Sequence, residues 1–342
     1  MFQRESRELR PFQVPGQDRS VTGNSLRRCL RNHLAGQPPL PTLDAAAVVL
    51  GEAHRLGGSL YHMGARVGHE DGARLRGIWA AQAAAHLRRV AVLRSVWPPD
   101  APPPLVFKGG DLVENIYRDP GARRMSDLDL LLAPTDHAAV LARLTPLADA
   151  TTLPRGERFA HEPPYEVALR FGDVTLELHR SPQPPHRGGP DAAGLLARSV
   201  AGSLDGLAVR YPHPLDRVLL WLVNMAKGSF HGDLSDYFDL ASALQALSKP
   251  TPWTHLADRA ATSGLSRPWR LACRQLATSE IWPGVLPEMG RWDDALAAAL
   301  LPPLDVPPVH TPSWRFQGLK LWLADPPRRT GMIARALAGR RT

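Results

Sequence analysis

Two aspartates interrupt an apolar run in the segment Met125-Ser-Asp-Leu-Asp-Leu-Leu-Leu132. Because side chains alternate along a strand, Asp127 and Asp129 leave the same face. Two neighbouring carboxylates on a strand otherwise buried in leucine are unfavourable unless a positive group lies between them. A divalent cation is the simplest such group, since Mg²⁺ takes carboxylate oxygens and shares the rest of its shell with water and substrate phosphates. The segment therefore predicts phosphoryl or nucleotidyl transfer.

A glycine turn upstream adds a phosphate-binding feature. Leu105-Val-Phe107 predicts a short buried strand, and Lys108-Gly-Gly110 follows at its end, before a helical stretch at 111–117. Glycines at a strand-to-helix turn let backbone N–H groups approach phosphate oxygens, and the helix N-terminus adds its positive dipole. Lys108 could neutralise a further phosphate charge. A lone Lys-Gly-Gly is usually an ordinary turn, so its value comes from lying between a buried strand and the Asp-x-Asp strand.

A third acid lies on the second strand of a predicted hairpin, 166–171 and 174–179, with its turn at Gly172-Asp173. Glu177 and Thr175 share one face of that strand. If the strand lies beside the Asp127 and Asp129 strand, three carboxylates converge, and such a set can hold two Mg²⁺ ions about 3.5–4 Å apart. The alternatives are a solvent-facing Glu177 and a plain exposed strand end for the two aspartates.

Two arginines and a serine come directly before the aspartates. Arg123 and Arg124 either contact a triphosphate or pair with Asp119 and Asp127, and both interpretations stay open. Ser126 caps or orients the loop. We place Arg123 and Ser126 with the glycine turn among the candidate nucleotide-binding residues.

Composition limits the class of protein. The chain has 342 residues, 44% of them hydrophobic, which is ordinary for a globular protein of two or three domains. Its net charge of +8 favours an anionic partner, whether nucleotide, nucleic acid or acidic protein surface. The two cysteines, Cys29 and Cys273, show no metal-ligand pattern and fit a reduced cytoplasm. Without an apolar run of membrane length or a signal-peptide core, we expect neither secretion nor a membrane span.

The motifs resemble a known family. Phe107-Lys-Gly-Gly-Asp-Leu112, Ile116-Tyr-Arg-Asp-Pro-Gly121 and the Asp-x-Asp segment are similar to the bacterial nucleotidyltransferase family usually described as uncharacterised, within the DNA polymerase beta-like nucleotidyltransferase superfamily. The resemblance covers 105–180, with a fainter helical match at 216–245. The resemblance implies that three residues are the metal ligands, Asp127, Asp129 and Glu177. It also implies that three others contact the triphosphate, Lys108, Gly109 and Gly110.

The resemblance leaves the acceptor side open. Relatives often carry a His where this chain has Asn224, and the polar residues near the expected positions are Lys227, His231, Asp236 and Asp239. His179 ends the similar Leu176-Glu-Leu-His179 motif, but such a residue is more often a packing residue than a ligand. We therefore assign His179 no catalytic role.

The expected fold class is α+β, with a small mixed β-sheet nucleotidyltransferase core, N-terminal helices and a C-terminal helical domain. Helical periodicity and proline-rich breaks set the boundaries. Within 1–40, a short basic helix could form from Ser25 to Leu34. The predicted units are a flexible N-terminal segment (1–40), a helical segment (41–97), the core (98–182), a linker (183–215), a helical domain (216–325) and a basic tail (326–342).

The expected activity is a metal-dependent transfer of an NMP from an NTP to an acceptor hydroxyl or similar group, with pyrophosphate release and with two Mg²⁺ ions held by the three carboxylates. A second hypothesis is a catalytically inactive accessory protein that binds a nucleotide or a partner. A third is RNA end modification, which the net charge and the basic tail favour, although no aromatic and basic RNA-binding pattern is present. The acceptor, a small molecule, peptide, protein or RNA, and the choice of NTP stay open.

Overall fold

The computed structural model describes residues 19–37, 40–152, 164–184, 188–228, 230, 233–247 and 253–284. Parts of three predicted units lie outside the described residues: 285–325 of the helical domain, the basic tail at 326–342, and residues 1–18 of the N-terminal segment. None of the helices in the described ranges combines the length and the apolarity needed to cross a bilayer.

One mixed sheet organises the core of the chain. In the described ranges it has seven strands in the order β3-β4-β5-β2-β1-β7-β6, of which β2 and β5 are parallel, as are β1 and β7. This arrangement confirms the predicted α+β class. The strands are β1 (Leu105–Phe107), β2 (Leu128–Leu131), β3 (Ala150–Thr152), β4 (Glu166–Phe171), β5 (Val174–His179), β6 (Val200–Leu204) and β7 (Leu207–Tyr211).

Helices flank the sheet and form a second core beside it. A short π-helical stretch, Leu112–Tyr117, continues α5, and a 3₁₀ turn, Thr145–Leu147, follows α6. The helices are α1 (Arg19–Leu34), α2 (Ala45–Ala53), α3 (Gly57–His62), α4 (His69–Val96), α5 (Gly109–Asp111), α6 (Pro134–Leu144), α7 (Ala192–Arg198), α8 (Pro214–Lys227), α9 (Leu234–Gln245), α10 (Trp253–Thr262) and α11 (Ser266–Thr278).

The two faces of the sheet meet different helices. One face packs on α4 and α6, where Val90 and Val140 join the buried side chains of the strands. The other face presents Phe107 and Leu131 to α7 and α8 through Leu195 and Leu220. Because side chains alternate along each strand, Asp129 shares the second face with Leu131. The acidic residues therefore project toward the side of the sheet that α8 covers.

The segment predicted as a linker, 183–215, contains regular structure instead. It holds α7 and the β6–β7 hairpin, and β7 pairs parallel with β1. The proline-rich composition that indicates a connector is confined to 181–190, so the predicted linker continued too far along the chain. Two signals for the hairpin were present, because Asp205-Gly206 is a typical two-residue turn and Leu207-Ala-Val-Arg-Tyr211 alternates apolar and polar residues.

The N-terminal segment also differs from the prediction of a flexible 1–40. Residues 19–34 form α1, and Leu26, Cys29 and Leu30 are completely buried in the helical core. The short helix predicted from Ser25 to Leu34 is confirmed and begins six residues earlier than expected. Burial of apolar side chains against α2 and α9 stabilises a helix that polar composition alone would not predict.

Candidate active site

The register of β2 and β5 brings two predicted acids together. The strands are parallel, and Asp129 lies directly opposite Glu177, with Leu131 opposite His179. Neighbouring strands are about 4.8 Å apart, so side chains on one face of such a pair come within contact distance. Asp129 and Glu177 thus share the face that α8 covers, as the alternation in the sequence predicts.

Asp129, Glu177 and His179 form a compact group in which one ligand atom from each lies within 4.8 Å of the others. His179 Nε2 is 3.1 Å from Asp129 Oδ1 and 3.5 Å from Glu177 Oε2. Burial and the nearby Lys108 lower the pKa of His179, but the hydrogen bonds to both carboxylates outweigh them and raise it. An N–H at Nε2 donates to Asp129 and lies close to Glu177, which holds the two carboxylates in place.

His179 is therefore a site residue that the sequence analysis set aside. It is fully buried and contacts both acids, so its position is more than packing. A signal was available in the sequence, because His179 lies two residues after Glu177 on the same strand and must share its face.

Asp127 completes the acidic group at the end of β2. Burial, followed by the charges of Asp129 and Glu177, raises its pKa to about 6, although Lys108 and a hydrogen bond from Ser126 oppose the rise. Ser126 Oγ donates to Asp127 Oδ2 over 3.0 Å, which gives the serine an orienting contact. Burial and the two neighbouring carboxylates thus make a negative charge on Asp127 unfavourable in the protein alone. Carboxylate oxygens in this state are the donor set that fits a hard divalent cation.

Lys108 and Gly109 lie at the turn between β1 and α5, next to these acids. Lys108 Nζ donates to Asp129 Oδ1. Burial opposes the charge on Lys108, but the carboxylates of Asp129 and Glu177 outweigh it and raise the pKa of the ammonium. A Cβ on Gly109 would lie 2.6 Å from Arg123 Nη1 and 2.9 Å from the sulfur of Met125. Only glycine fits this close approach without a shift of its neighbours.

Gly110 has a different environment from Gly109. It is buried, and a Cβ there would lie 2.7 Å from Leu128 Cδ1 and 2.8 Å from Val106 Cγ1. These contacts place Gly110 under the turn, packed on β1 and β2. Its small size permits close helix-to-sheet packing, whereas Gly109 borders the pocket.

A pocket of about 650 Å³ opens in front of the acids. We name its two sides by the residues that line them. The strand wall consists of Lys108, Gly109, Ser126, Asp127, Asp129 and Glu177. The helical wall consists of Trp221, Asn224, Met225, Phe230 and Asp236.

The two arginines before β2 have separate roles. Arg123 Nε donates to Asp239 Oδ2 over 2.8 Å, and its guanidinium lies 4.9 Å from the centroid of a Trp221 ring. Tyr117 Oη donates to the other oxygen of Asp239 over 2.5 Å. The pairing of Arg123 with Asp119 or Asp127 is not what the structure shows, because α9 supplies a buried carboxylate that local sequence does not reveal.

Arg124 is exposed, and its side chain makes no hydrogen bond or ion pair with any residue in the described ranges. It lines the same pocket as the acids. An exposed guanidinium at a pocket edge keeps all its donors available for a bidentate contact with phosphate. The sequence analysis placed Arg123, and not Arg124, among the candidate nucleotide-binding residues, whereas the structure pairs Arg123 with Asp239 and leaves Arg124 exposed at the pocket.

The helical wall carries two polar side chains that remain available. Within the residues that the structure describes, Asn224 and Asp236 have no side-chain hydrogen bond, although both line the pocket. Burial and the charge of Asp239 raise the pKa of Asp236 to about 7. By contrast Lys227 Nζ is held 3.2 Å from Glu166 Oε2. An amide and a carboxyl without partners are suited to bind a polar ligand group.

A mixed sheet with acids on adjacent strands, beside a glycine turn and under a helical layer, is consistent with a nucleotidyltransferase core. The sequence profile of an uncharacterised nucleotidyltransferase family matches residues 52–278, about two thirds of the chain. The chain belongs to this family, which supports a general role in nucleotidyl transfer. Neither a curated protein nor a solved structure has significant similarity to the chain.

Proposed function

We propose that this protein is a metal-dependent nucleotidyltransferase that moves an NMP from an NTP to an acceptor and releases pyrophosphate. One observation carries the proposal: the β2–β5 register aligns Asp129 with Glu177, while Asp127 borders the same pocket. The three carboxylates are the predicted metal ligands. When bound, Mg²⁺ ions would lower the pKa of the acceptor hydroxyl and neutralise the phosphates.

The strand wall holds the nucleotide in this proposal. Lys108 and Arg124 bind oxygens of the triphosphate, and the backbone N–H groups of the turn at Gly109, which borders the pocket, add further donors. The acceptor oxygen bonds to the α-phosphorus, and the bond from that phosphorus to the bridging oxygen breaks. A carboxylate oxygen of Glu177 takes the hydroxyl proton, and the electron pair of the broken bond leaves with pyrophosphate.

The helical wall faces the acceptor in this proposal. Asn224 offers one amide donor group and one acceptor oxygen, and Asp236 offers a carboxyl. Both side chains lack partners within the described residues, so a ligand that binds them breaks no internal hydrogen bond. The chemistry favours an acceptor that carries hydroxyl or amino groups.

Substitution of the acids tests the activity. Asp127→Asn, Asp129→Asn and Glu177→Gln should each reduce pyrophosphate release by about 10²-fold or more, because several kcal/mol of charge stabilisation is lost with a ligand. The assay supplies Mg²⁺, mixed NTPs and candidate acceptors, and mass spectrometry identifies the modified acceptor. Asp173→Asn is the control, since that carboxylate is exposed at the β4–β5 turn. An active Asp127→Asn enzyme would refute the proposed ligand set.

The same assay separates the alternatives. NTP binding by the wild-type chain without pyrophosphate release, across all NTPs and acceptors, would favour a catalytically inactive accessory protein. The net charge of +8 is the observation that favours RNA as acceptor. RNA affinity that falls steeply with salt, together with tailed RNA products, would support end modification.

A further inference from the structure

Lys108 lies at the position where the acids need a cation. Its Nζ contacts Asp129 Oδ1, the same oxygen that His179 Nε2 approaches to 3.1 Å. The Lys108 side chain is only 12% exposed, and that of Asp129 is 5% exposed. Charges so poorly exposed to water interact strongly, and Glu177 and Asp127 also act on the ammonium. Lys108 therefore offsets part of the negative charge of these carboxylates in the protein alone.

The backbone at Lys108 supports a role for its side chain. The residue has φ 50° and ψ −126°, in a region that glycine adopts easily and other residues rarely occupy. Lysine at such a position carries conformational strain that glycine would avoid. Strain of this kind is characteristic of functional positions, where the side chain has a task that the backbone preference opposes.

We propose that the Lys108 ammonium and a divalent ion exclude each other at the carboxylates. Ion binding displaces Lys108 from Asp129, and the displaced ammonium binds the triphosphate. The inference rests on the metal site of the proposed function. It adds the competition between Lys108 and the ion, which a metal site does not by itself require. Ion and nucleotide must then bind with positive coupling, because the triphosphate provides the ammonium with a new partner.

A gain in metal affinity is the first expected result. Mn²⁺ is the probe, since it accepts the same oxygen ligands and its free form is measured by electron paramagnetic resonance. In the full-length chain without nucleotide, Lys108→Met should bind Mn²⁺ about tenfold more tightly than wild type, or tighter still, as is typical of coupled sites. Lys227→Met is the matched control, because Lys227 borders the same pocket but pairs with Glu166. Its Mn²⁺ affinity should equal that of wild type.

A loss of coupling is the second expected result. An NTP analogue with a non-hydrolysable α–β bridge should increase the Mn²⁺ affinity of wild type, after correction for ion bound by free analogue. The increase should be smaller in Lys108→Met, because this variant lacks the ammonium through which ion binding and nucleotide binding are coupled. Misfolding cannot imitate this pair of results, because an unfolded variant loses metal affinity rather than gaining it.

The outcomes separate this inference from the function on which it rests. If wild type and Lys108→Met bind Mn²⁺ equally, or the variant binds more weakly, mutual exclusion is wrong while the metal site stands. If neither protein binds Mn²⁺, with or without the analogue, both the metal site and the inference fail. Pyrophosphate release is not needed for either decision.

Discussion

Substitution of the adjacent arginines Arg123 and Arg124 gives the sharpest test of the site. One variant should lose stability, and the other should lose nucleotide affinity. Arg123 pairs with Asp239 on α9 and is nearly buried, whereas Arg124 is exposed at the pocket. We expect Arg123→Met to destabilise the fold and Arg124→Met to weaken nucleotide binding. The two substitutions remove the same charge one residue apart, so each is the matched control for the other.

The magnitude for Arg123 comes from its geometry. Unit charges 2.8 Å apart attract by about 6 kcal/mol at an effective dielectric constant of 20, and desolvation of both groups cancels part of this. Removal of Arg123 leaves Asp239 buried with Tyr117 as its partner. Breaking a buried pair in this way costs about 3–5 kcal/mol of unfolding free energy. Urea denaturation followed by tryptophan fluorescence measures this loss.

The magnitude for Arg124 comes from its expected phosphate contact. A hydrogen bond to a charged group contributes about 1.5–3 kcal/mol, which corresponds to an increase of about ten- to hundredfold in the Kd for a Mg²⁺-bound NTP analogue. Calorimetric titration measures that Kd, and stability should change by less than about 0.5 kcal/mol. A stable Arg123→Met protein, or an Arg124→Met protein with wild-type affinity for nucleotide, would refute the assignment.

Two further substitutions test the helical wall and the turn. The folded-state pKa of Asp236, about 7, lies above its ordinary value of 3.8, so its contribution to stability is complete below about pH 4 and is lost as the pH rises through 7. Asp236→Asn should therefore gain about 3–4 kcal/mol relative to wild type between pH 4 and pH 8, because a shift of about three pKa units corresponds to about 1.4 kcal/mol per unit. Urea denaturation measures the gain, and a stability difference that does not change with pH would contradict this pKa. Gly110→Ala should cost about 1–3 kcal/mol by overpacking against Val106 and Leu128, and a neutral effect on the melting temperature would show that the turn has room.

Local pattern was sufficient for the strands that carry the acids. Alternation in Leu128-Asp-Leu-Leu131 and Leu176-Glu-Leu-His179 fixed which side chains share a face, and the Gly172-Asp173 turn located the hairpin. The order of strand, glycine turn and Asp-x-Asp strand also followed from sequence. Periodicity works here because a side chain's face depends only on its own strand.

The alternation of polar and apolar residues could not predict which distant segments pair. The parallel register of β2 and β5 and the insertion of β7 beside β1 join strands far apart in the chain. Arg123 and Asp239 are separated by 116 residues, and the sequence around each of them does not indicate that they form a pair. The sequence likewise predicted only the second part of α1, Ser25 to Leu34, and not its burial against other helices.

The sequence by itself determined that Asp129 and Glu177 lie on strands, with Asp127 directly before β2 and a glycine turn nearby, because spacing and residue type are local properties. Tertiary structure decided which atoms meet: Lys108 contacts Asp129, His179 lies beside two carboxylates, Arg123 pairs with Asp239, and Arg124 is exposed at the pocket. The physical reason is that charge compensation depends on distance and burial. Those quantities exist only once strands and helices from separate parts of the chain have packed together.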